Sequence, residues 1–182
     1  MAELERNTAE KEAELSSVLS EQVRQAVEVL IREYGPALAG LQADPVRPIS
    51  ACDIYRAATR VMMRMVVLLF AEARDLLPRE NALYHDGYSL QGLREARDRL
   101  GASTGEAFER MRSRPSTAWP RVLALFRLVY EGSPSEALPV RRHGGALFEP
   151  GDPSAADPIR RALAVLEDPT LECLPGDAAV RT

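Results

Sequence analysis

The chain has 182 residues, 46% hydrophobic and 27% charged, with a formal net charge of -4 and a pI near 5.4. That length suits one domain with a real core, and the balance excludes a disordered polypeptide. It also speaks against a compact module that binds nucleic acid alone, which is usually strongly basic, though a local basic face stays open.

From about residue 8 to 40 the pattern is helical. Leu15, Leu19, Val23, Ala26, Val27, Leu30 and Tyr34 recur at three- and four-residue steps, giving one apolar stripe that needs a covering surface. Gly35-Pro36 should bend or end this helix. Pro45 and Pro48 mark a loop over 42–49. Ser50, with Asp53 three residues on, reads as a capping box. It opens a helix over about 54–76 that is apolar on more than one side: Val61, Met62, Met65, Val66, Leu68, Leu69 and Phe70. Such a helix is expected to be buried on most of its circumference at the centre of the fold.

Residues 79–88 read as a polar and aromatic loop containing His85. A short helix is expected over 89–100, with Leu90, Leu93 and Leu100 inward, and another over 106–111. Trp119-Pro120 opens a clear helix over 121–130, and Gly132 suits a left-handed cap. Prolines and glycines then mark a long loop at about 133–157, where strands are expected at most as short pieces. Asp157-Pro158 starts a last helix over 158–167, and residues 168–182 read as a frayed tail. The fold expected is all-α: an irregular multi-helix bundle, a single helical domain around the helix at 54–76.

Chemistry is sparse. Cys52 and Cys173 stand far apart without a metal or disulfide pattern, which points to a reducing, cytoplasmic compartment. The acidic, polar N-terminus is no signal peptide, and the apolar run 65–71 is too short and too flanked by charge to span a bilayer. His85 beside Asp86 lacks metal-centre spacing, and no Ser or Cys lies in a nucleophile elbow. Lys11, the only lysine, sits in a solvated acidic helix, so a two-carboxylate-and-lysine nuclease is not expected. No catalytic, cofactor-binding or metal residue is assigned. Arg56, Arg60 and Arg64 stand four apart on the central helix. They read either as a contact to phosphate or, preferably, as the wet side of a buried helix paired with Glu72 or Asp75.

The run Ile54-Tyr55-Arg56, Arg60-Val61-Met62-Met63-Arg64 and Leu69-Phe70-Ala71-Glu72-Ala73-Arg74-Asp75-Leu76-Leu77-Pro78 is distinctive. Tyr84 with Tyr88-Ser89-Leu90 follows, then Trp119 to Tyr130 with Glu131-Gly132, then His143-Gly144-Gly145-Ala146-Leu147-Phe148-Glu149-Pro150. In this order they resemble the helical region upstream of the catalytic domain in type IIG restriction–modification enzymes and in phage-defence DNA adenine methyltransferases of the DISARM and BREX kind. The resemblance covers roughly residues 16–179. It implies a helical connector, S-adenosylmethionine as the parent enzyme's cofactor, and DNA adenine as its substrate.

The family's glycine-rich methyl-donor turn and its Asn-Pro-Pro-Tyr tetrapeptide, which holds a flipped adenine, do not occur in the sequence. The expectation is therefore a non-catalytic helical module, a piece of a larger protein, that braces a methyltransferase domain or subunit and through it reaches duplex DNA. Arg141, Arg142 and His143 are the candidates for backbone contact. The alternative is a small helical adaptor that binds protein through the stripe of its first helix, and a functionless remnant is the third possibility.

Overall fold

The computed structural model describes residues 2–101 and 118–169. Among them lie seven helices: α1 (Ala2–Glu33), α2 (Gly35–Gln42), α3 (Ala51–Ala73), α4 (Ala82–Gly87), α5 (Leu90–Gly101), α6 (Ala118–Glu131) and α7 (Pro158–Leu166). The only extended pairing among the described residues is an isolated antiparallel bridge between Ser133 and Val140. The fold is all-α, as expected.

Local chemistry sets the helix ends. The Ser50 side chain accepts from the Asp53 amide as the N-cap of α3, and its hydroxyl donates to the Asp53 carboxylate at 2.6 Å, in place of the backbone bond that would complete a capping box. Asp157 accepts from the Ile159 amide ahead of Pro158 and starts α7. Gly132, at φ 76°, ends α6 in the left-handed conformation that glycine adopts without strain. Gly35-Pro36 does break the first helical stretch, into α1 and α2.

Residues 79–88 differ from the loop expected. Asn81 accepts from the amides of Leu83 and Tyr84 and starts α4. A six-residue helix is too short to show a period in sequence, so its cap was the only cue. The helix expected over 106–111 and the tail from 170 on lie outside the described residues.

α3 packs chiefly against α1 and α7. Its inward face carries Ile54, Ala57, Ala58, Val61 and Leu68, which join Val27 and Leu30 of α1, Tyr34 at the start of α2, and Ala162, Leu163 and Leu166 of α7 in one core. Each large apolar side chain so buried contributes about 1.5–3 kcal/mol. α6 adds Val122, Leu123, Leu125, Phe126 and Val129 to it, and its Trp119 indole donates to the Leu166 carbonyl.

One expectation needs correction. α3 is not covered on most of its circumference: Tyr55, Met63, Val67, Leu69 and Phe70 are 38–58% exposed. The stripe of α1 meets the core from Val23 onward, while residues 16–22 are exposed.

Candidate functional site

Two buried polar side chains on the inward side of α3 organise the stretches that the sequence singled out. The first is Arg64, which has no exposed surface. Its Nε donates to the Leu147 carbonyl at 2.6 Å and its Nη2 to the Glu149 carbonyl at 2.7 Å, while Nη1 pairs with the Glu167 carboxylate. The guanidinium also lies 5.3 Å from the centre of the Phe126 ring. The other Glu167 oxygen accepts from the Gly151 amide at 2.8 Å. One fork therefore fastens the 143–150 segment to α3 and to the end of α7 at once, the kind of planar multidentate grip that lysine cannot make. Burial lowers the Arg64 pKa, and the Glu167 charge opposes that shift.

The second is Glu72, also buried. One oxygen accepts from the Tyr84 hydroxyl and the Leu90 amide, both at 2.9 Å, and the other from the Gln91 amide at 3.1 Å. Its negative charge thus sits on the free amides at the start of α5, where the helix dipole favours it. Burial, then the neighbouring Glu72 carboxylate, raises the Tyr84 pKa well above its ordinary value. Arg121 of α6 completes this corner by donating to the carbonyls of His85 and Ser89.

The structure separates the six side chains considered for contact with DNA. Arg56 is exposed and 3.8 Å from Asp53, and Arg60 is half-buried. Arg64 is withdrawn from solvent with its donors engaged, so it leaves the set of surface contacts. A step of four residues turns a helix by about 40°, so three arginines at that spacing pass from the wet side to the dry one. The pairing expected with Glu72 or Asp75 is also corrected: Arg64 takes Glu167, Glu72 serves Tyr84 and α5, and Asp75 pairs with Arg79.

Arg141, Arg142 and His143 are all exposed, on a loop that is tied down along its length. The Ser133 amide donates to the Val140 carbonyl at 2.8 Å, and the His143 amide to the Val129 carbonyl at 2.8 Å. The Arg142 guanidinium lies 5.9 Å from the Tyr130 ring centre, and Gly132 packs under its backbone, where a Cβ would come within 2.8 Å of the Arg142 nitrogen. Arg64 then holds the same loop four and six residues beyond His143. Three cationic or titratable side chains are thereby presented from a fixed backbone.

Between α6 and this loop lies a cavity of about 20 Å³, lined by Leu123, Phe126, Tyr130 and Phe148 with Arg64 and Glu167 at its polar side. That is room for about one water. Among the described residues no group of three or more His, Cys, Asp or Glu side chains is placed to hold a metal. No described helix is long and apolar enough to cross a membrane.

Sequence reasoning missed Glu72, Glu167, Arg121 and Gly151 as organising residues. Only Glu72 carried a signal, an acidic residue in the most apolar helix of the chain. No family model, curated protein or solved structure matches the chain.

Proposed function

We propose that this chain is a non-catalytic helical module of a DNA adenine methyltransferase or restriction system, bracing the methyltransferase domain and resting Arg141, Arg142 and His143 on the DNA backbone. The observation that carries this reading is the mounting of those three side chains. They are exposed, yet their loop is held by the α6 carbonyl of Val129 on one side and by buried Arg64 on the other. A clamped loop presents cations without a large ordering cost on binding, and backbone contacts of this kind position a protein without reading sequence. The resemblance supports the same reading, because its last segment, 143–150, is the one that Arg64 clasps.

A protein-binding adaptor with no nucleic-acid role is the second reading. It is favoured by Val18 and Leu19 of α1, which are 51% and 49% exposed.

Fluorescence anisotropy on a labelled duplex across a salt series tests both. Binding should weaken steeply with salt, and Arg141→Ala with Arg142→Ala should reduce the log–log slope by about two. An unchanged slope removes these arginines. No duplex binding at low salt, together with a recovered protein partner, hands the function to the adaptor reading. The methyltransferase link is tested by transfer of labelled methyl to DNA by the same organism's adenine methyltransferase, which this chain should stimulate.

A further inference from the structure

The outward face of α3 carries a seven-residue repeat that takes no part in the core formed by the described residues. Cys52, Arg56, Thr59, Met63, Val66, Phe70 and Ala73 alternate in steps of four and three, the spacing of a coiled-coil seam. Two flanks run beside it, each with a period of seven: Tyr55, Met62 and Leu69 on one side, Asp53, Arg60, Val67 and the C-cap Arg74 on the other. The buried positions, Ile54, Ala57, Ala58, Val61, Arg64, Leu68 and Glu72, all fall in the remaining places of the heptad. One helix therefore serves two partners, the core on one side and an open seam on the other. Along that seam Met63 is 42% and Phe70 58% exposed, with Tyr55 and Leu69 at 46% and 50% beside them. A contiguous apolar patch of this kind marks a binding surface.

We infer that the occupant is a second copy of this chain, its α3 laid antiparallel on the first about a two-fold axis. The seam is self-complementary in that direction. With Met63 opposite Val66 of the other copy, the layers become Thr59 with Phe70 and Arg56 with Ala73, a small side chain facing a large one each time. On one flank Met62, partly buried against the core, meets Leu69, both apolar. On the other, Asp53 meets Arg74 and Arg60 meets Val67, so an opposite-charge pair forms twice and no like charges are opposed. A parallel pairing gives the reverse: Phe70 would face Phe70 and Arg56 would face Arg56 in the seam. Arg74 now lies over the Phe70 ring of its own chain, its guanidinium 4.9 Å from the ring centre, beside the seam rather than in the core. An isologous two-fold is also the commonest way for a chain to close such a surface on itself.

Sedimentation velocity on the full chain tests the pairing. A reversible dimer is expected in the micromolar range, as for a small helix-on-helix interface, and a monomer up to about 100 µM overturns the inference. Met63→Glu and Phe70→Glu should give monomers with unchanged far-ultraviolet circular dichroism; a dimer that survives both lies elsewhere and overturns it too. Register is read by disulfide trapping in a Cys52→Ser, Cys173→Ser background. A mixture of Met63→Cys and Val66→Cys chains should cross-link, and each chain alone should not. Cross-linking by Met63→Cys alone would show the parallel arrangement and sink the antiparallel one.

Discussion

The two sides of α3 are built from similar residues and do opposite things. The inward side buries Val61 and Leu68 and adds one arginine and one glutamate, each fully satisfied by hydrogen bonds. The outward side leaves Met63, Val67 and Phe70 in solvent. Apolar content alone does not distinguish them. What separates them is the company of the polar groups. Arg64 and Glu72 reach far along the chain, to Glu167 and to the start of α5. The polar groups outside, Asp53 with Arg56 and Asp75 with Arg79, form their ion pairs within a turn or so, and Arg79 reaches only on to the exposed Gln91. Buried polar groups of the first kind specify which segments meet, whereas surface pairs of the second kind are worth little.

The largest expected break in this contrast comes from Arg64→Met. Removing the cation leaves Glu167 without its partner and frees the carbonyls of Leu147 and Glu149. Loss of one partner from a buried pair costs about 3–5 kcal/mol, and urea unfolding should show it. A loss under about 1 kcal/mol would mean the clasp is ornamental, as replaced buried pairs sometimes are.

Next come changes that keep shape or size but disturb one contact. In Glu72→Gln an amide nitrogen must face the free amides of α5 or the Tyr84 hydroxyl, which should cost about 1–3 kcal/mol. Gly151→Ala places a Cβ 2.1 Å from the Ala164 nitrogen of α7, so backbone has to move. It should cost about 1–3 kcal/mol and loosen the Gly151–Glu167 bond, visible as faster amide exchange there.

A pH titration sharpens the contrast with a smaller effect. The Tyr84 phenol is pushed up by burial and by Glu72, so the folded chain resists its ionisation. That contribution is complete below the unfolded tyrosine's value near 10 and is lost as pH rises above it. Tyr84→Phe should flatten the alkaline fall, though it gives up one hydrogen bond at neutral pH. On the exposed part of α1 the Arg24 hydrogen bond, then that of Gln25, holds Glu21 down to about 2. Its contribution is present above the ordinary value near 4.5 and disappears as pH falls from there toward 2. Being fully exposed, it should shift helix content only slightly, and salt should erase it.

Much of the frame was legible in the sequence. Ser50 with Asp53, Asp157 with Pro158, and Gly132 each gave a helix boundary from local chemistry that tertiary contacts did not override. α4 was not legible as a helix, because its single cue was Asn81. Arg64 looked like its neighbours at 56 and 60, since nothing local shows that Glu167, more than a hundred residues on, closes over it. The outward face of α3 was misjudged for a different reason. A helix that is apolar all round has two explanations, deep burial and a second interface, and periodicity does not choose between them. Arg141, Arg142 and His143 were picked out as candidates from the sequence; the clamp that holds their loop became visible only in three dimensions.

Positions 63 and 64 are adjacent in sequence, yet one is exposed and the other buried, so one comparison reaches the centre of the account. Urea unfolding of Arg64→Met and Met63→Glu is measured at submicromolar concentration, where an association of micromolar strength contributes little. The account predicts a loss of about 3–5 kcal/mol for the first and a change within about 0.5 kcal/mol for the second. Equal losses at the two positions would contradict it, because α3 would then have no free side.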